Sequence, residues 1–278
     1  MIPFNFIYFR PESLKESVDI FNEIQADRKS ALYYSGGSEI ITMCRSVSIK
    51  PDAVIDIKSI PECSLLSKDL EKLHIGSVCT LNQIAECRLF PLLGMACGRI
   101  ADHTNQCRIS LGGNLCGTII YRETSLPLMV SDAEISLFGP EGERCLPFNI
   151  VFNGRLQLKA GEMITQIHLP LWALSARYYH IKKTANEKID YPLVSIAAIC
   201  KSNYLRAAFS GVCSHPFQSE QINVVLNDSN KSPGSRAEAV CRLLPESAYS
   251  DSSSGDYRLF VLKNTVQELL ESRENAEM

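Results

Sequence analysis

Apolar positions recur along the chain with spacings that divide it into elements. Leu14, Val18, Phe21 and Ile24 follow at steps of four, three and three behind Pro11, which predicts an amphipathic helix over 11–27. Ala31 to Tyr34 is a short β-prone run, Ser35-Gly36-Gly37-Ser38 is a turn, Glu39 to Arg45 reads as a helix capped by Ser38, and Ala53 to Ile57 is a second strand. A βαβ-like unit therefore opens the chain. A hairpin pairing Leu65–Leu66 with Leu73–Ile75 follows, then helices over Thr80 to Glu86 and Phe90 to Ala101. Cys107 to Leu111 leads into the turn Gly112-Gly113-Asn114, and strands lie near Glu134–Phe138 and Met163–Leu169, with Gly139-Pro140-Glu141-Gly142 as a hairpin turn.

Beyond Pro170 the pattern changes. Arg177 to Lys183, Leu193 to Lys201 and Tyr204 to Cys213 read as antiparallel strands followed only by helices, which implies a separate α+β unit. Ser235 and Glu238 form a capping-box pattern, and Leu259, Leu262, Val266, Leu269 and Leu270 give the last helix one apolar face. Asn227 to Gly234 and Ser250 to Gly255 are polar connectors.

Length and charge narrow the functional classes. A chain of 278 residues has passed the size at which one core tends to split. Its 28 Lys+Arg against 31 Asp+Glu leave a net charge of −3, without the surplus of cations that phosphate-backbone binding needs, so no nucleic acid partner is expected. No apolar run is long enough to cross a bilayer, so no membrane association is expected. Met1 to Arg10 (MIPFNFIYFR) does not read as a secretory leader, which points to a cytoplasmic, reducing compartment with free thiols. The eleven cysteines are never closer than eight residues, and His74, His103, His168, His180 and His215 are equally scattered. The reading is buried thiols and no metal site.

Signatures of hydrolases and kinases are missing, and two diglycines remain. Gly36-Gly37 ends a strand and opens a helix, which places bare N–H groups and a positive helix end at one spot, a geometry that binds phosphate. Gly112-Gly113-Asn114 repeats it, so the two loops are candidates to grip one diphosphate. Each alone is also what a tight turn needs.

Tyr34-Ser35-Gly36-Gly37-Ser38-Glu39-Ile40, Ile75-Gly76-Ser77-Val78-Cys79-Thr80-Leu81 and Ser110-Leu111-Gly112-Gly113-Asn114-Leu115-Cys116 resemble the ordered signatures of the FAD subunit of molybdenum hydroxylases, xanthine dehydrogenases above all. Arg10 to Leu14, Pro51 to Ile57, Gly161 to Ile167 and Asp190 to Ser195 extend the resemblance almost end to end. It implies an α+β protein: a two-subdomain FAD-binding fold of the PCMH and vanillyl-alcohol-oxidase type over 1–172 (subdomains about 1–58 and 59–172), then a CO-dehydrogenase-flavoprotein C-terminal domain over 173–278. It implies FAD as cofactor, a molybdopterin-binding large subunit and a 2Fe–2S small subunit as partners, and NAD as electron acceptor.

The implied activity is the flavin stage of an electron chain, with no catalytic residue of its own. Other readings stay open: the same subunit serving an aldehyde, nicotinate or carbon monoxide dehydrogenase, or a flavin-less assembly protein of this fold. The resemblance carries FAD contacts onto Tyr33, Tyr34, Ser35, Gly36, Gly37, Ser38, Glu39 and Ile40, and onto Ile109, Ser110, Gly112, Gly113, Asn114 and Cys116. It adds Glu123 near the ribityl or ribose hydroxyls, Ile164 against the cofactor and Lys182 near the flavin ring. Thr80 is explained by a capping box with Gln83 alone. Three stretches depart from the family pattern: Thr118 to Arg122 replaces a Ser-Pro pair, Asp102 to Cys107 differs from a Gln-Ile-Arg-Asn run, and Asn186 replaces a frequent arginine.

Overall fold

The computed structural model describes residues 1–186, 189–244 and 255–276. Two compact units share the chain, the first made of 1–89, 103–117 and 132–171, the second of 90–102, 118–131 and 172–278. The sequence reading divides the chain at 172/173, whereas the short segments 90–102 and 118–131 are part of the second unit.

In the first unit the strands Ile7–Phe9, Ala53–Asp56 and Ala31–Tyr34 form a parallel sheet in that order. The helix Leu14–Ala26, capped by Ser13, lies along one face, where Ile24, Ala53 and Ile55 are buried with Phe9, Ile20, Phe21 and Tyr33. The expected βαβ opening is thus present, with one strand, Ile7–Phe9, that the sequence reading missed. Strands Leu66–Lys68, Lys72–Gly76, Met163–Pro170, Glu134–Gly139 and Gly142–Pro147 make a second sheet, in which Leu66 opposes Ile75 and Gly139 opposes Gly142 across the expected hairpin turns. Thr80 and Gln83 form the capping box of the helix Leu81–Cys87.

In the second unit the strands Tyr178–Thr184, Pro192–Lys201, Tyr204–Ser210 and Phe217–Gln218 form an antiparallel sheet. Alternation along strands assigns the two faces. Ile196, Ala198, Ala207 and Phe209 are buried with Ile222, Leu226, Val240, Leu262, Val266, Leu269 and Leu270 from the helices Glu220–Leu226, Pro233–Arg242 and Gly255–Asn275. The opposite face carries His180, Lys182, Ser195 and Ser210, and meets the short helices Pro91–Cys97 and Ser125–Val130. The C-terminal antiparallel sheet with helices is as expected, with two differences. A short strand, Phe217–Gln218, follows the three expected ones, and the cap of Pro233–Arg242 is Ser232, whose side chain accepts from the Ser235 N–H. Pro233 at the first helical position moves the start ahead of the Ser235–Glu238 pattern. The Ser250–Gly255 connector lies outside the described residues except for Gly255, the first residue of the last helix. No described helix is long and apolar enough to cross a membrane.

Candidate functional site

The strand Ala31–Tyr34 delivers the chain to Gly36 and Gly37 at the carboxyl end of the parallel sheet, where open α/β sheets bind ligands. Gly37 adopts φ +71°, a left-handed conformation, and is itself the cap of the helix Ser38–Arg45. Ser38 is therefore the first helical residue and not the cap, and no side chain caps this end. First-turn N–H groups have no intrahelical acceptor, so this end presents donors and the positive pole of the helix. Beside it the Ser35 hydroxyl is buried without a hydrogen-bond partner among the described residues.

The second loop differs from its expected form. Gly112-Gly113-Asn114 is not a turn but lies within the helix Leu111–Cys116, because Ser110 caps it by accepting from the Gly113 N–H at 3.2 Å. Neighbouring N–H groups are also engaged: Leu111 on the Cys79 carbonyl (2.9 Å), Gly112 on the Ser77 carbonyl (2.8 Å) and Asn114 on the Ser110 carbonyl (2.9 Å). The uncapped donors therefore belong to the first loop, while the second supplies a closely fitted wall.

Glycine at position 36 is what lets the loops meet. A Cβ there would stand 1.8 Å from the Arg108 carbonyl oxygen and 3.3 Å from the Ser110 nitrogen. Glu39 reaches across in the same way, since a Cβ on Gly117 would stand 2.8 Å from its Oε2. Ser35 to Ile40 and Ile109 to Cys116 are thus brought together at one place in the first unit. Cys116 is exposed and Ile109 half-buried there.

Tyr34 lines a hollow of about 330 Å³ with Ile40, Ile41, Cys44, Tyr8, Asp56 and Lys58. Asp56 is buried at its edge, accepting from the Tyr8 hydroxyl (2.5 Å) and from Lys58 Nζ (2.7 Å), and Lys58 Nζ stands 4.5 Å from the centre of the Tyr34 ring. Sequence reasoning missed Tyr8, Asp56 and Lys58 as a group; the one signal was the Asp that ends the strand Ala53–Asp56.

Other expected contacts have structural employment. Tyr33 stacks on Phe21, donates to the Gly161 carbonyl at 3.0 Å, and has its phenol pushed up by burial. Ile164 is a buried strand residue opposite Leu137. Glu123 and Lys182, in the second unit, are both buried and bond to each other, Nζ to Oε2 at 2.8 Å. Neither is the solvated charge that such residues usually are. Burial pushes the Glu123 carboxyl up and the Lys182 ammonium opposes it. The Thr118 to Arg122 segment is tied down at Tyr121, whose carbonyl accepts from the Ser210 hydroxyl (2.7 Å) and whose ring stacks on Tyr191.

The cysteines divide. Cys44, Cys63, Cys79, Cys97 and Cys213 are buried thiols, whereas Cys107, Cys116 and Cys145 are exposed, contrary to the expectation of uniform burial. Two histidines join a relay in the first unit: Asp69 Oδ2 to His74 Nε2, His74 Nδ1 to His168 Nδ1 and His168 Nε2 to the Ser136 hydroxyl, each 2.8 Å. Burial and the facing His74 lower His168 from 6.5 to about 4. A histidine held neutral in the fold contributes stability that is fully present above its unfolded value and lost as pH falls through its folded one. The denaturation midpoint is accordingly expected to drop between pH 6.5 and about 4. His168→Gln should flatten that drop in urea titrations across the same range.

Comparison with known proteins follows the same outline. Residues 3–172 match the family described as the FAD binding domain in molybdopterin dehydrogenase. The chain is 25% identical over 240 residues to a xanthine dehydrogenase FAD-binding subunit of Escherichia coli, covering 79% of this chain and 80% of that one. It is 25% identical over 224 residues to the carbon monoxide dehydrogenase medium chain of Hydrogenophaga pseudoflava, covering 76% of each. In fold it is similar to a chain of quinoline 2-oxidoreductase from Pseudomonas putida 86, with a TM-score of 0.83 at 22% identity over 97% of this chain and 96% of that one.

Proposed function

Since this chain belongs to the family of FAD-binding domains of molybdopterin dehydrogenases, and is thereby an FAD-binding subunit of the molybdenum hydroxylase type, we propose that it serves a xanthine-oxidising enzyme and hands electrons on to NAD. The observation that carries the cofactor site is the contact of the two glycine loops at Gly36. A dinucleotide diphosphate fits what the first unit offers: an uncapped helix end and the partnerless Ser35 hydroxyl beside it.

When bound, FAD supplies storage of two electrons and their delivery as hydride. The chain's own part is holding and shaping. First-turn amides of Ser38–Arg45 would hold the diphosphate, Gly36 lets the two loops pack together, and Ser110 keeps its hydroxyl proton to donate after accepting from Gly113. Asn114, Glu39, Ile40, Ile109 and Cys116 complete the wall. Ile164 is assigned to the remainder of the cofactor, while Glu123 and Lys182 are assigned to it on the resemblance of the sequence alone. No general acid or base is required of the protein for hydride transfer, which agrees with the lack of a carboxylate pair in the cradle.

Xanthine and NAD rest on the resemblance of the sequence to xanthine dehydrogenases and on a relative of that name. A second reading is supported by relatives named for carbon monoxide and glyceraldehyde dehydrogenases: the same subunit type with another substrate in the partner chain. Molybdopterin-binding and 2Fe–2S chains are the proposed partners. Co-purifying the chain with them and assaying the assembly decides. Xanthine-dependent reduction of NAD is the expected result, whereas turnover of glyceraldehyde or carbon monoxide with none of xanthine would overturn the substrate assignment.

A further inference from the structure

The first glycine loop has little of its own to fix its shape. Gly36 and Gly37 carry no side chain, glycine loses more backbone freedom than any other residue on being held in one form, and the helix that follows has no side-chain cap to set the turn. Lys58, just past the strand Ala53–Asp56, supplies a hold from outside. Its Nζ donates to the Ser35 carbonyl at 3.1 Å and stands 4.5 Å from the centre of the Tyr34 ring. That ring lies in turn against Gly37, where an added Cβ would be 2.3 Å from Tyr34 Cε2. One ammonium therefore grips the loop at a carbonyl and backs the ring that covers its second glycine. Asp56, whose side chain is only 3% exposed, aims the lysine. Its Oδ1 accepts from the Lys58 backbone N–H (3.1 Å) and its Oδ2 from Lys58 Nζ (2.7 Å), so both ends of the lysine rest on one carboxylate. The Tyr8 hydroxyl donates to the same Oδ2 (2.5 Å), and that bond pushes the Tyr8 phenol up, which keeps it a donor.

A loop shaped in advance binds more tightly, because its ordering cost is met before the ligand arrives. A trans peptide also turns its N–H opposite to its C=O, so a Ser35 carbonyl held on Lys58 fixes the direction of the Gly36 N–H. We propose that Lys58 is a positioning residue of the cofactor site, whose ammonium holds the Ser35 carbonyl and the Tyr34 ring so that the glycine loop keeps the form that takes a diphosphate. This rests on the reading that the first glycine loop holds FAD by its diphosphate. Asp56 cancels the charge of Lys58, so the lysine acts by holding backbone and not by drawing the anion in.

Equilibrium dialysis of the full chain against FAD reads the effect, with each variant first shown to be folded by urea titration. Lys58→Met should bind FAD about tenfold more weakly than the parent, the worth of one charge-assisted hydrogen bond from a side chain that is 45% exposed. Lys58→Arg, which still reaches the carboxylate, the carbonyl and the ring, should recover at least half of that loss on a logarithmic scale. Lys15→Met, which removes a cation from an exposed helix pair of the same unit, should stay within about twofold of the parent. Lys58→Gln takes the place of Met should Met not fold. Affinity in Lys58→Met within about threefold of the parent, an Arg variant as weak as Met, or an equal loss in Lys15→Met overturns the proposal. A parent chain that takes up no FAD overturns the diphosphate reading itself and the proposal with it.

Discussion

Replacing Gly36 with alanine is expected to strip FAD from the protein and to destabilise it, by about 2–3 kcal/mol in urea titrations. The new Cβ would sit 1.8 Å from one backbone atom, the Arg108 carbonyl oxygen, and 2.9 Å from the carbonyl carbon. Neither is the far end of a flexible side chain, so the two loops must part. Gly113→Ala is the control for stability alone. Its Cβ meets only the Ser110 hydroxyl, at 2.9 Å, and that hydroxyl can rotate. Stability there should change by less than about 1 kcal/mol, with the lost cap offset by alanine's better helix propensity. Flavin released by acid and compared with protein concentration gives the occupancy of each variant. Full occupancy in Gly36→Ala would refute the cradle.

Lys182→Met should cost about 3–5 kcal/mol, the usual penalty for leaving one member of a buried ion pair uncompensated. Glu123 would then keep a carboxyl that is nearly out of solvent, without its counter-charge. Adding Glu123→Gln should return a substantial part of the loss, because the stranded charge is removed. A single variant that loses less than about 1 kcal/mol would show the pair to be solvated and its burial unimportant.

Local periodicity made much of this fold legible. Leu14, Val18, Phe21 and Ile24 gave away their helix, and Gly139 and Gly142 their hairpin, since both signals lie within a few residues. Gly112-Gly113-Asn114 misled for a physical reason: glycine is a poor helix former, and only remote acceptors, the Ser77 and Cys79 carbonyls, together with the Ser110 cap, fix those residues as helix. Ile7–Phe9 was hidden because its partner among the described residues is the strand Ala53–Asp56, far along the chain.

The site shows the same limit. Glycine composition pointed to the cradle, but not to the fact that Gly36 packs on Arg108. Glu123 and Lys182 were picked out singly, while their bond joins residues 59 apart in sequence. Asp56, Tyr8 and Lys58 met no sequence rule, because each is ordinary until the parallel sheet sets them around one hollow.

The most direct test of the account is the flavin content of the purified, folded chain after incubation with FAD and removal of the excess. Equimolar FAD with a protein-perturbed flavin spectrum, lost in Gly36→Ala, is the predicted result. A folded chain that stays colourless would contradict it.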